Sequence, residues 1–412
     1  MTSAPGPRPD GRYRSGSAIG LLLATAFVLS QWSEFLVARW LLRALPFAVL
    51  LAVLALPSVQ RARLRLPVPL AAFVLWCLVS VAWSADRGSS ALRLVDLLAL
   101  VTVGWIGGQV CGARAPLVLA RTVQCVLLVT VATLVVAPGW ATAAGLDGAP
   151  GWHGAFPHKN DLGFFCALAV VTLWTQLPRG WARRGWLVLA AVLLLGSASA
   201  SALAATAVAV AVITWATARD RRPPGRDRLL VDSAAAAVVG LVGALAVLRP
   251  GLFFGALGRD SSLTGRRAIW AAVRHHLHDH PLVGFGFGGV WERPTPVTLA
   301  LWRESRFEAF YAHNGWLDIR LQVGWVGLAL LVLLLGGVAV RAAVRGGPVG
   351  AWSMGVLVLL CVTALTESSP FTGNGLLLLA ALSGCLSSGS RTPPARPARR
   401  EPEQVRPEEV LV

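Results

Sequence analysis

The chain has 412 residues, of which 55% are hydrophobic and 14% are charged, and its mean hydropathy is +0.64. One soluble core cannot bury this much apolar surface, which excludes an ordinary soluble domain and indicates a polytopic membrane protein. The formal net charge of +17 does not indicate nucleic acid binding, because the arginines lie in short clusters between apolar runs, where the positive-inside rule places them.

The polar, proline-rich residues 1–16 predict a disordered cytoplasmic tail. Apolar runs of about 20 residues, the length that crosses a bilayer, then predict an all-α protein with about twelve transmembrane helices. The seventh and eighth runs follow one another directly, so their boundary is left open. Residues 389–412 predict a second disordered cytoplasmic tail. The predicted spans lie near 18–36, 38–57, 67–84, 91–111, 116–137, 160–177, 185–200, 201–218, 229–250, 313–340, 349–367 and 372–388.

The arginines predict how these spans are oriented. They cluster after even-numbered spans, near 61–65, 179–184, 219–228 and 341–345, and are sparse after most odd-numbered spans. The basic connections should therefore face the cytoplasm. Residues 251–312 form the longest connection, and the positive-inside rule says little about a connection of this length. We expect this segment to be one large, ordered extracytoplasmic loop that carries the active-site motifs, between spans one to nine in 17–250 and spans ten to twelve in 313–388.

The histidines are confined to two connections, 138–158 and the loop that ends at His313, and the predicted topology places both on the outer face. We therefore expect the two connections to converge on one site above the helix bundle. The histidines are His153, His158, His275, His276, His278, His280 and His313.

The segment after Thr264 has helical spacing, with Arg266, Trp270, Val273 and Leu277 on one stripe. It predicts an amphipathic helix on the membrane surface, whose arginines either bind a ligand or only contact lipid headgroups. The HHLHDH run that follows does not predict a metal site, because it lacks spaced ligands and a separate carboxylate cluster.

Five further ionisable residues lie within or beside the predicted spans. His313 and Arg320 share one face of the tenth span, and a charge within a span costs roughly 2.5–3.5 kcal/mol. Asp318 and Glu367 are possible partners for Arg320, in a functional or a purely structural ion pair. Lys159 at the start of the sixth span is either a second phosphate contact or an interfacial anchor.

In these motifs the chain resembles the O-antigen ligase and O-antigen polymerase superfamily of bacterial membrane glycosyltransferases. The motifs are GAFPHKNDLG at 154–163, LTGRRAIW at 263–270, HPLVGFGFG at 280–288, AHNGWLDIRLQVGWVGL at 312–328 and LTES at 365–368. The resemblance implies transfer of a glycan from undecaprenyl diphosphate to an acceptor hydroxyl of a glycan, lipid or wall polymer. Such transfer takes place at the outer face of the cytoplasmic membrane, inverts the anomeric centre and uses neither metal nor cofactor.

The resemblance also implies roles for individual residues. Arg266 corresponds to the arginine that binds the donor's diphosphate, and His313 to the proposed base that activates the acceptor. Arg320 and Lys159 are further candidates for diphosphate binding. The residues expected to support the acceptor or the site are His158, Asn160, His280, Asn314 and Glu367.

Two positions depart from the family pattern. Ala200 stands where the family often has a basic residue at the start of the eighth span, and Gln322 stands where an acidic residue often follows the motif histidine. Arg320 is therefore a candidate for a relocated cation. A flippase or another polytopic transporter is the alternative function, but charges deep in the spans are sparse and no clear internal repeat supports it.

Overall fold

The computed structural model describes residues 36–55, 64–143, 150–222 and 266–388, together with Thr25 and Val28. These residues form helices and connections without a β-strand, which confirms the all-α prediction for the described chain. The predicted tails, the first and ninth spans and residues 251–265 lie outside the described residues.

The described helices follow the predicted spans closely. Spans two to eight and ten to twelve each coincide with one helix, namely α1, α2, α3, α4, α6, α7, α8, α11, α12 and α14. The helices are α1 Leu36–Ala55, α2 Val68–Val79, α3 Arg87–Cys111, α4 Ala115–Val136, α5 Pro138–Ala141, α6 Lys159–Gln176, α7 Trp181–Gly196, α8 Ala200–Asp220, α9 Arg266–His276, α10 Pro296–Ser305, α11 Gly315–Arg345, α12 Gly347–Thr363, α13 Ser369–Thr372 and α14 Gly375–Ser387.

Fewer of these helices than predicted are long and apolar enough by themselves to be membrane spans. Within the described residues, three stretches are long and apolar enough to cross a bilayer: Arg87–Val136, Ala200–Asp220 and Gly315–Arg345. Shorter apolar helices accompany them at Val68–Trp83, Gly347–Thr363 and Gly375–Ser387. The all-helical, apolar architecture fits a membrane protein, and the number of twelve spans stays a prediction.

The boundary between α7 and α8 falls at three residues, 197–199. Ala198 has a left-handed φ of 50°, which ends the helical path. The Ser197 hydroxyl donates to the Leu194 carbonyl at 2.6 Å and accepts from the Ser199 N–H at 3.3 Å. The serines thus satisfy backbone groups that a helix end leaves without partners.

The connections segregate to two ends of the bundle. At the predicted cytoplasmic end, the Gly347 N–H between α11 and α12 donates to the Asp220 carboxylate at 2.7 Å. At the other end, the Trp152 N–H donates to the Gly196 carbonyl at 2.8 Å, which joins the connection before α6 to the end of α7. These two contacts agree with the predicted alternation of α6, α7, α8 and α11, and the full topology and the outward-facing end stay predictions from the arginine bias.

Glycines bring α3 and α14 into backbone contact. A Cβ atom on Gly108 would lie 2.2 Å from the Ala381 carbonyl oxygen, and one on Gly384 would lie 2.2 Å from the Trp105 carbonyl oxygen. Small residues that allow such close approach are typical of helix pairs in membranes, where packing replaces the hydrophobic effect as the force between helices.

Helix α11 is interrupted at Gly324, which has a φ of 68°. The segment 281–286 supplies the backbone partners that the break removes from the helix. The Trp325 N–H donates to the Pro281 carbonyl at 2.9 Å, and the Phe285 N–H donates to the Leu321 carbonyl at 3.0 Å. The glycine-rich motif after α9 is therefore fixed to the middle of α11, an arrangement that the hydrophobic pattern did not predict.

Candidate functional site

Helix α9 presents the predicted stripe to the protein interior. Arg266, Trp270 and Val273 are buried, whereas Arg267 and Arg274 are exposed. Arg266 is only 9% exposed, which is unusual for a charged side chain without a specific partner. The position distinguishes Arg266 from the two arginines that face outward on the same helix.

The guanidinium of Arg266 is held by the segment that follows α12. Its Nη1 donates to the Thr366 carbonyl at 2.7 Å, and its Nη2 donates to Glu367 Oε1 at 3.2 Å. The same carboxylate oxygen accepts from Asn160 Nδ2, at the start of α6, at 2.9 Å. A buried cation and its counter-ion thus join three parts of the chain that are distant in sequence.

The first turn of α11 binds to this same segment. Asn314 caps the helix, because its Oδ1 accepts from the Trp316 and Leu317 N–H groups at 3.1 and 3.0 Å. Its Nδ2 donates to the Leu365 carbonyl at 3.2 Å, and the Gly315 N–H donates to the Ala364 carbonyl at 2.8 Å. Residues 364–367 therefore fix both Arg266 and the two residues that follow His313.

His313 lies between the capped helix and the loop, with a left-handed φ of 52°. Its ring lies beside that of Tyr311, with centroids 4.3 Å apart. Burial, together with the charge of Arg266 and the proximity of His158, lowers the pKa of His313 to about 3. Its imidazole is consequently neutral at physiological pH.

The Nδ1 atom of His313 is buried and has no hydrogen-bond partner in the described chain. The same is true of Asn160 Oδ1 and Ser368 Oγ, which belong to the segments around Arg266 and Glu367. Buried polar atoms of this kind are rare in native proteins and call for an explanation. They provide donors and acceptors for a polar ligand at this site.

His158 and Lys159 bring the connection before α6 to the same region. His158 caps α6 through its Nδ1, which accepts from the Asn160 N–H at 3.2 Å. Lys159 donates through Nζ to the Pro150 carbonyl at 3.3 Å. A Cβ atom on Gly151 would lie 3.0 Å from Lys159 Cδ and 2.6 Å from the Ser197 carbonyl oxygen. Lys159 therefore lies near the start of α8, where Ala200 stands at the position that the resemblance leads one to expect to be basic.

The structure does not pair Arg320 with either predicted partner. Its guanidinium carbon lies 4.0 Å from the centroid of the Trp325 ring, in a cation–π contact. Asp318 binds neutral donors instead, and Glu367 binds Arg266 and Asn160. The expectation of an Arg320 ion pair with Asp318 or Glu367 is thus wrong, because both carboxylates are already engaged.

Other histidines also lie apart from the group around Arg266. His280 is exposed, and its ring packs edge-on against Phe285 with centroids 4.9 Å apart. His276 lies between two carboxylates, with Asp279 at 2.8 Å and Glu304 at 3.1 Å. Within the described ranges, no three His, Cys, Asp or Glu side chains are grouped as metal ligands would be.

Comparison with known proteins supports the resemblance drawn from the motifs. Residues 185–332 match the O-antigen ligase family model, Wzy_C. The chain is also 29% identical over 204 residues to the exopolysaccharide production protein ExoQ of Rhizobium meliloti (strain 1021), an alignment that covers 46% of each protein. The match thus spans less than half the length of that relative.

The two matches confirm the resemblance to the O-antigen ligase and polymerase superfamily. The family match includes Arg266, His280, His313 and Arg320, whereas Glu367 lies beyond it. Together with the apolar helices, the matches support a role in glycan processing at a membrane.

Proposed function

We propose that this protein is an O-antigen ligase-like membrane glycosyltransferase that acts in cell-surface polysaccharide biosynthesis. It transfers or polymerises glycans from an undecaprenyl-diphosphate-linked donor onto an acceptor hydroxyl at the outer face of the cytoplasmic membrane. The observation that carries this proposal is that segment 364–367 holds both a buried guanidinium, Arg266, and the chain that bears a neutral imidazole, His313.

Arg266 is our candidate for binding the departing diphosphate. A guanidinium presents parallel N–H donors to phosphate oxygens, and in a buried site such bonds stabilise the charge that develops on a leaving group. Its present anionic partner is Glu367, which the diphosphate would replace. Lys159 is the second candidate cation because it lies beside Ser197, near the position of Ala200. Arg320 is less well placed, since it stacks on Trp325.

His313 is our candidate for the general base. In the proposed step the acceptor oxygen attacks the anomeric carbon of the donor sugar and the imidazole takes the hydroxyl proton. The bond from that carbon to the diphosphate breaks, and undecaprenyl diphosphate departs with the electron pair. One attack from the face opposite the leaving group inverts the anomeric centre, and the step needs no metal or cofactor.

One feature of the structure would suit a transporter, namely the break in α11 at Gly324. Transporters use broken helices to expose backbone groups to an ion or substrate near the middle of the membrane. Here Pro281–Gly286 backbone groups fill the break, for example through the bond from the Trp325 N–H to the Pro281 carbonyl. The break therefore serves to attach segment 281–286 to α11 and does not indicate a transport site.

The test uses purified protein in proteoliposomes and the lipid-linked oligosaccharide extracted from cells that lack the protein. A glycosyltransferase releases undecaprenyl diphosphate and forms a new glycosidic bond. Growth of the glycan on its carrier would identify a polymerase, and its appearance on another acceptor a ligase. Movement of the intact donor across the bilayer without release of undecaprenyl diphosphate would overturn the proposal in favour of a flippase.

A further inference from the structure

The peptide units on both sides of Ala312 are clamped by two side chains from different helices. The Ala312 carbonyl accepts from Trp270 Nε1 at 2.9 Å, and the Ala312 N–H donates to Asp318 Oδ2 at 3.2 Å. We infer that Trp270 and Asp318 are positioning residues that set His313 against Arg266. The inference rests on the proposed function, in which His313 is the base.

Asp318 is an unusual carboxylate because it is fully buried and its hydrogen-bond donors in the described chain are neutral. Its Oδ1 accepts from Trp291 Nε1 at 2.8 Å and from Gln322 Nε2 at 2.7 Å. Burying a carboxylate costs free energy that hydrogen bonds only partly offset. A neutral amide cannot replace it without loss, because it has one acceptor oxygen and cannot satisfy donors on both sides.

The clamp explains how His313 keeps its backbone conformation. A left-handed φ in a residue other than glycine is strained and persists only when the surroundings fix it. Asn314 is fixed on one side by its bonds to the first turn of α11 and to Leu365. Ala312 is fixed on the other side by Trp270 and Asp318. The backbone of His313 is thus held from both sides, just before the first turn of α11.

Trp270 also links the base to the donor-binding helix. It lies one turn after Arg266 on the buried face of α9, so its bond to Ala312 connects the helix of the cation directly to the neighbour of the base. Loss of this bond should let the two groups separate while each keeps its own contacts. The first effect should then appear in turnover and not in donor binding.

The test compares Trp270→Phe with Trp352→Phe. Both substitutions keep an aromatic ring and remove one buried indole donor. Trp270 donates to the residue before His313, whereas Trp352 donates to the Thr172 hydroxyl between α12 and α6. Turnover of the extracted lipid-linked oligosaccharide should fall about 10- to 100-fold in Trp270→Phe, as expected when a catalytic group is displaced by about 1 Å. Binding of undecaprenyl diphosphate should stay within about 3-fold of the parent protein in both variants, because Arg266 is unchanged.

Asp318→Asn supplies the second variant. It should lower turnover like Trp270→Phe, and the double variant should be little worse than either single one, because both remove one clamp. Equal turnover defects in Trp270→Phe and Trp352→Phe, or a matching loss of undecaprenyl diphosphate binding, would overturn the inference. If His313→Gln keeps full turnover, the proposed function loses its base; if His313→Gln is inactive and Trp270→Phe is normal, only the inference fails.

Discussion

The guanidinium of Arg266 and the carboxylate of Glu367 form an ion pair, with Nη2 and Oε1 3.2 Å apart and both side chains largely buried. The pair occupies part of the donor array that we propose for the diphosphate. Glu367 therefore competes with the donor for the same cation. A carboxylate held in this way keeps a buried guanidinium compensated before substrate binds.

Glu367→Gln should tighten the binding of undecaprenyl diphosphate roughly 3- to 10-fold, because the amide still accepts a hydrogen bond but no longer neutralises Arg266. The measurement is the dissociation constant of the purified variant. Thermal stability without ligand should fall, and ligand should restore it.

The matched control is Glu292→Gln, which removes a carboxylate from the more exposed ion pair with Arg93. This change should leave binding of undecaprenyl diphosphate unaltered, since surface ion pairs contribute little. Weaker binding by Glu367→Gln than by the parent protein would mean that the carboxylate supports the donor site and does not compete for it.

Arg266→Lys should reduce turnover at least about 100-fold, since an ammonium cannot bind the Thr366 carbonyl and also present a planar fork to a diphosphate. Arg274→Lys serves as the control on the exposed face of the same helix. Turnover is measured as release of undecaprenyl diphosphate from the extracted donor. Equal tolerance of both substitutions would assign Arg266 a structural role.

Much of this arrangement could be predicted from the sequence. Apolar runs mark the helices that the structure describes, and 3.6-residue spacing placed Arg266 and Trp270 on one stripe of α9, which the structure shows to be its buried face. The confinement of histidines to two connections predicted that these converge, and His158 does lie close enough to His313 to affect its pKa, whereas His276 and His280 lie apart. These features follow from local pattern and from the alternation of helix direction.

Other features depend on contacts between distant segments. The bonds of Arg266 to Thr366 and of Ala312 to Asp318 involve backbone groups, which carry no residue-specific pattern in a sequence. The break at Gly324 was hidden because glycine is common in membrane helices and the apolar run continues through it. Arg320 was assigned the wrong partners because helical spacing shows on which face a side chain lies and not which group it contacts.

The predicted topology can be tested with Glu308→Cys and Arg222→Cys, two exposed positions at opposite ends of the bundle. The background carries Cys125→Ala, because Cys125 is the exposed native cysteine in the described chain. In intact cells an impermeant maleimide should label residue 308 and should reach residue 222 only after permeabilisation. Labelling of residue 222 alone in intact cells would invert the map and place the site on the cytoplasmic face.

The depressed pKa of His313 predicts how stability changes with pH. Its folded pKa of about 3 lies below the ordinary value of 6.5. Between pH 6.5 and pH 3, the imidazole is therefore protonated in the unfolded chain and not in the folded protein. The stability present above pH 6.5 is lost as the pH falls towards 3. On going from pH 7 to pH 5, the Tm in detergent should therefore fall more for the parent protein than for His313→Gln. His278→Gln, at an exposed histidine, should behave like the parent.

The same pKa bears on catalysis by His313. An imidazole with a pKa of about 3 is fully deprotonated at neutral pH but is a weak base. A bound diphosphate would offset the charge of Arg266, which helps to lower that pKa, and would thereby raise it towards neutrality. The acid limb of kcat should accordingly lie at higher pH than that of kcat/KM, because only kcat reports the complex.

His313→Gln separates this role from simple hydrogen bonding. Glutamine has donors and an acceptor at the end of its side chain but takes up no proton, so turnover should fall roughly 10²- to 10⁴-fold, the usual contribution of a positioned base. Binding of undecaprenyl diphosphate should change little, because Arg266, the proposed diphosphate ligand, is unchanged. His278→Gln is again the matched control. Near-normal turnover with an unchanged acid limb would show that His313 only positions substrate, and the proton would then have to leave through another group.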